Sequence, residues 1–167
     1  MPFARILTAG ILLALSTVAA ARAEQDIVVV GGTGESCLED PGCFNRLHPG
    51  VPMAARARPG QTILFHTRDA RDTLGTVASQ GPERPVLRSG GSRAHAVTGP
   101  VYVEGARAGD VLKVTILDIE PGRWAWTRAG GGGYVGDLVD GGLTVVWRLN
   151  RDHAESDELP GLRIPNA

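Results

Sequence analysis

The stretch Asp110-Val-Leu-Lys-Val-Thr-Ile-Leu-Asp118 decides the fold class. Leu112, Val114 and Ile116 recur at every second position with Lys113 and Thr115 between them, which is the period of a half-buried β-strand and not of a helix. Outward from it, residues 26–30, 61–67, 101–104 and 143–149 read the same way, each run short and bounded by Gly, Pro or Asp. No window of eleven residues carries a helical stripe. The expectation is an all-β domain built as a jelly-roll-like β-sandwich. A turn-then-strand echo between Ala57-Arg-Pro-Gly-Gln-Thr-Ile-Leu-Phe65 and Ala106-Arg-Ala-Gly-Asp-Val-Leu-Lys-Val114 fits that architecture without proving a duplication.

Residues 1–23 carry Arg5, an apolar run from Ile6 to Ala20, and Ala21-Arg22-Ala23 before Glu24, the three-part pattern of a cleaved secretory signal. The run is too short for a retained membrane anchor. The β-domain is therefore expected over residues 24–167, in a periplasmic or secreted protein with no membrane contact after cleavage. The chain of 167 residues holds 23 Gly and 11 Pro, which makes it turn-rich, while 43% apolar residues are enough for one core. Its formal charge of −1 falls to −3 once Arg5 and Arg22 leave with the leader, so it has no nucleic-acid electrostatic footprint. In an oxidising compartment Cys37 and Cys43, flanking Leu-Glu-Asp-Pro-Gly, read as a small disulfide ring around a turn.

The densest polar cluster, Asn45-Arg46-Leu47-His48-Pro49, follows that ring directly and could form the wall of a site. The plainer reading of the same residues is a surface turn. Arg68, Asp69 and Asp72 near His66 read as a solvated strand corner, and His153 as an exposed tail residue. His95 and Glu104 fall beside turns at the two ends of one strand-forming stretch. His48 or His95 with Asp69 or Glu104 is the combination that could hold a divalent metal, although no local ligand spacing marks it. A blue-copper site lacks a late Cys beside a His. The run from Gly130 to Gly133 has no Lys-Ser/Thr ending and reads as a loop, not a phosphate cradle. Trp124, Trp126 and Trp147 read as packing residues. The polar stretch of residues 70–93 is long enough to serve as a wall or lid.

Several segments taken together resemble the acetamidase/formamidase family. They are Phe44-Asn-Arg-Leu-His-Pro49, Phe65-His-Thr-Arg-Asp-Ala70 and His95-Ala-Val-Thr-Gly-Pro-Val-Tyr-Val-Glu-Gly-Ala106, followed by Leu117-Asp-Ile119, Val146-Trp-Arg-Leu149 and Ser156-Asp-Glu-Leu-Pro-Gly-Leu-Arg-Ile-Pro165. The order is collinear from Cys43 to Pro165. The resemblance implies a β-rich hydrolase that splits the C–N bond of a small-molecule linear amide, such as formamide or acetamide, into carboxylate and ammonia. It further implies Asn45, Arg46, His48, His95 and Glu104 as site residues, a divalent metal as a candidate cofactor, and an oligomer or a complementing C-terminal segment as partner. Other amidase chemistries have no equipment here: a Ser-Ser-Lys arrangement lacks its serine pair, and Lys113 is the only Lys. Family members continue past the point where this chain stops, so the chain reads as truncated relative to them. Gly50 stands where they commonly carry Asp. Two alternatives remain open: a secreted non-catalytic β-sandwich binding module, and a truncated gene product.

Overall fold

The computed structural model describes residues 26–76, 80–88, 95–130, 136, 138 and 140–166. The leader expected over residues 1–23 and most of the Gly130 to Gly133 run lie outside them. The described residues form ten strands and no helix, in agreement with the all-β expectation. The strands are β1 (Val28–Gly31), β2 (Cys43–Phe44), β3 (Ala55–Ala57), β4 (Ile63–His66), β5 (Val97–Thr98), β6 (Val101–Val103), β7 (Trp124–Ala129), β8 (Leu143–Leu149), β9 (His153–Glu155) and β10 (Arg163–Pro165).

In the first half each strand pairs with the one three places further on. β1 runs parallel to β4, β2 antiparallel to β5, and β3 parallel to β6. Single bonds continue two of these short ladders past their ends: Gly99 N–H to the Gly42 carbonyl (2.9 Å) beside β2–β5, and Ala54 N–H to Pro100 (2.8 Å) and Glu104 N–H to Ala57 (2.9 Å) at the two ends of β3–β6. Residues 42–45 and 97–100 are thereby held side by side.

The second half is a four-stranded antiparallel sheet in the order β10-β9-β8-β7. Its central strand β8 buries three consecutive residues, Val145, Val146 and Trp147, so both of its faces are covered. The register explains how. Val146 lies opposite Trp126 and packs with Leu74, Trp124 and Leu87 on one face, whereas Trp147 lies opposite Ala125 and packs with Val145 and Ala154 on the other. Alternation along a pleated strand sends neighbouring side chains to opposite faces, and here each face has its own small core. The Trp residues are packing residues, as expected.

Two readings are corrected. Residues 110–118, whose alternation is the clearest in the chain, are not in a ladder: they belong to no strand, and every residue from 107 to 121 is exposed. Alternation records which side chains a strand would bury, but the pairing partner has to exist elsewhere. The stretch of residues 70–93 is also more than a lid. Within its described part Leu87 packs on the Trp124 core, Arg88 N–H bonds the Thr73 carbonyl (3.2 Å), and Arg84 bonds Asp157 (3.1 Å) and Glu158. It straps the two halves together.

Candidate active site

The loop between β1 and β2 closes on itself through the Cys37–Cys43 disulfide, the pairing expected from the two flanking cysteines. Inside this ring Asp40 is buried. Its carboxylate accepts the N–H groups of Gly32 (2.9 Å), Gly42 (2.9 Å) and Thr33 (3.3 Å), and the Thr33 hydroxyl (3.1 Å). Arg68 enters from the segment after β4 with its side chain 1% exposed. It donates to the carbonyls of Thr33 (2.8 Å), Gly34 (3.0 Å) and Glu35 (3.3 Å), and pairs with Asp72 (3.0 Å) and Asp40 (3.5 Å). Asp72 accepts the Cys37 N–H at 2.5 Å through its second oxygen. A guanidinium and two carboxylates thus staple the disulfide ring to residues 68–72. The expected solvated corner is instead a buried ionic cluster. Spacing could not show this, because every partner of Arg68 except Asp72 lies about thirty residues away, in a loop whose sequence looks like any polar turn.

Asp69 faces the other way and holds the second half. It accepts N–H bonds from Arg71 (3.1 Å), Thr73 (2.7 Å) and Leu74 (2.7 Å), the Thr73 hydroxyl (2.9 Å), and the Trp126 indole N–H (2.9 Å). Burial alone would raise its pKa, but these donors together outweigh burial and hold it below the usual carboxylate value. Asp40 behaves likewise: burial raises it, and the Gly42, Thr33 and Gly32 donors with the Arg68 charge pull it lower.

On the outer side of the ring lies an open cavity of about 480 Å³, lined by Cys37, Glu39, Asp40, Cys43, Asn45, Arg46, His48 and Gly99 among others. Three of the five expected site residues, Asn45, Arg46 and His48, line it. Asn45 is half-buried; Arg46 and His48 are exposed. The β2–β5 register, Phe44 opposite Val97, sets His95 across from Arg46 if continued by two residues, but His95 is exposed and does not line the cavity. Glu104 lies beyond the far end of β6, exposed and away from it. His48 Nδ1 accepts the Gly50 N–H at 3.0 Å, so the neutral ring in this geometry carries its proton on Nε2 and presents a donor outward.

The cavity therefore offers an amide NH₂ group, a guanidinium and an imidazole N–H, all suited to binding a carbonyl or carboxylate oxygen. Its two carboxylates are poor bases. Glu39 is held below its usual pKa by the Glu35 N–H and by Ser36, and Asp40 by its donors, so neither is inclined to take a proton. Nor do the residues fit a divalent metal. Among the described residues no group of three or more His, Cys, Asp or Glu could hold one, Asp69 has its oxygens occupied by five donors, and both cysteines are in the disulfide. A second open cleft of about 370 Å³ lies between Arg68, Asp69 and Leu74 on one side and Trp124 and Trp126 on the other.

Comparison with known proteins adds the following. The family model described as the acetamidase/formamidase family matches residues 33–167. The chain is 29% identical over 133 residues to an acetamidase from Mycolicibacterium smegmatis, covering 71% of this chain and 32% of that protein. It is 27% identical over 132 residues to a formamidase from Methylophilus methylotrophus, covering 75% of this chain and 32% of that one. Among solved structures, a gamma lactamase from Delftia acidovorans superposes with a TM-score of 0.63 at 26% identity, over 78% of this chain and 33% of that one. An acetamidase from Bacillus halodurans superposes with a TM-score of 0.58 at 27% identity, over 74% of this chain and 40% of that one. The chain spans about a third of the length of the curated relatives it matches.

Proposed function

The chain belongs to the acetamidase/formamidase family, and from that premise we propose that it supplies the carbonyl-binding wall of a site that hydrolyses short linear amides. In that reaction water adds to the amide carbon, the C–N bond breaks, and carboxylate and ammonia leave. As the carbonyl carbon becomes tetrahedral its oxygen gains negative charge. Asn45, Arg46 and His48 Nε2–H are the donors that would receive it, and donors fixed in advance stabilise such charge best. In this reading the base that activates water comes from outside the described residues, and His95 and Glu104 act only if further polypeptide covers them. The leader pattern and the disulfide support a periplasmic or secreted setting.

The observation that carries the reading is the collection of three donors on one cavity, held by a ring that a buried ionic cluster makes rigid. The test is titration of the purified chain with formamide and acetamide, following amide and imidazole NMR signals and ammonia release together. Binding is expected to shift Asn45 and His48 signals, with Arg46→Ala and His48→Ala each abolishing the shift, and the chain alone should release ammonia near the uncatalysed rate. Where turnover is present, loss of one donor should lower it about 10²–10³-fold. No shift at these residues, or turnover indifferent to both substitutions, would refute the assignment.

A further inference from the structure

Between the turn at residues 107–110 and the start of β7, the chain belongs to no strand and holds six large apolar side chains in water. Val111 is 95% exposed, Leu112 58%, Val114 83%, Ile116 72%, Leu117 73% and Ile119 73%. Both ends are anchored. Asp110 N–H bonds the Arg107 carbonyl (3.0 Å) while its carboxylate takes the Arg107 N–H (2.8 Å), and Trp124 N–H is held by the Gln80 side chain (3.0 Å). Between the anchors no backbone group of residues 111–117 bonds another strand among the described residues. Soluble monomers rarely leave a contiguous apolar strip of this kind open, and an unpaired backbone is a template for a further strand.

Charge and length together indicate what covers it. Asp110, Asp118 and Glu120 flank the apolar run, against one cation, Lys113. A second copy of the chain fits poorly. Antiparallel self-pairing centred on Val114 sets Asp110 against Asp118, and centred on Thr115 it sets Asp110 against Glu120; centred between Thr115 and Ile116 it sets Lys113 against Asp118 but leaves Asp110 and Glu120 of each copy without a cation. Parallel in-register pairing sets each acid against itself, and like charges directly opposite one another destabilise a ladder. A strand with an apolar centre and basic flanks satisfies both the backbone and the charge. Two-thirds of the length of the matched relatives has no counterpart in this chain.

We propose that residues 111–119 form a docking strand that takes up, by strand addition, one apolar β-strand flanked by Lys or Arg, supplied by polypeptide corresponding to the part of the family's length this chain does not span. The proposal rests on the family reading for the source of the strand, and on the exposed, acid-flanked run for its chemistry.

Hydrogen–deuterium exchange of the purified full chain tests it, with two synthetic peptides as probes: an alternating Val-Thr peptide carrying two Lys at each end, and its twin carrying two Glu. Residues 111–119 should exchange freely in the chain alone at any concentration. The Lys-flanked peptide should slow their exchange at least tenfold and the Glu-flanked twin should not. Val114→Pro, which breaks no backbone bond among the described residues, should abolish the protection while Trp fluorescence stays that of the native chain. Concentration-dependent protection of the chain alone would overturn the proposal in favour of self-association. Equal protection by both peptides, or by neither, would also overturn it. None of these readings depends on ammonia release, so docking and hydrolysis can fail separately.

Discussion

Arg68 is the residue on which the candidate site depends most. Its guanidinium serves three loop carbonyls and two carboxylates with its side chain 1% exposed, and its Nε is a buried side-chain nitrogen without a partner among the described residues. Truncation would leave Asp40 and Asp72 buried without their cation. Removal of one partner from a buried ionic cluster typically costs about 3–5 kcal/mol, so Arg68→Ala should lower the urea midpoint accordingly. Arg68→Lys should not restore it, because a single ammonium cannot reach acceptors on both sides of the planar fork. A change below about 1 kcal/mol in Arg68→Ala would show that the cluster is not what holds the ring. Single residue types were legible here: the cysteine pair and the Asn45-Arg46-His48 wall could be read from order and spacing. Burial of Arg68 and Asp72 could not, since a polar residue looks the same in sequence whether water or a distant carbonyl satisfies it.

Elements meet closely where the disulfide ring crosses β1. A Cβ on Gly42 would lie 2.5 Å from the Gly31 nitrogen and 2.7 Å from the Gly31 Cα, both main-chain atoms that cannot swing aside. Gly42→Ala should therefore push the ring off β1, break the Gly99–Gly42 bond that aligns β5, and cost about 1–3 kcal/mol, the usual range for forced overpacking. Its companion readout is the cavity. His48 and Asn45 signals should move in Gly42→Ala, whereas Gly81→Ala, where a Cβ meets nothing within 4 Å, should leave them in place. A neutral Gly42→Ala would mean that the ring is not seated on β1. At this scale the sequence reading located β1, β4, β6 and β8 to within a few residues, because those strands have one face or both to bury. It passed over β2, β3, β5, β9 and β10, which are two or three residues long and too short to display a period, and it read Trp124 and Trp126 as packing residues without bounding the six-residue β7.

The whole molecule is held at three joints by carboxylates whose pKa values lie below their ordinary ones. Asp40 holds the ring, and Asp69 holds Trp126 to the strap. Glu158 is lowered from 4.5 to about 2, chiefly by the Ser156 hydroxyl and then by Arg84, and ties the strap to the four-stranded sheet. Groups with a depressed folded-state pKa add stability above their unfolded values and lose it as pH falls through the folded ones. The urea midpoint should thus be flat from pH 7 to about 5 and fall steadily below about 4.5, with Glu158→Gln showing a shallower fall. A midpoint that rises on acidification, or stays level to pH 3, would contradict this account.

By itself the sequence determined the class of structure and the kinship: period-two patterning excludes helices, and the order of short polar motifs along the chain marks the family. Tertiary structure alone decided which alternating segments find partners, which polar residues leave water, and which site residues share a cavity. Residues 110–118 show the physical reason. Alternation is a local property of one segment, whereas pairing, burial and electrostatic satisfaction each require a second group whose position depends on the path of the whole chain.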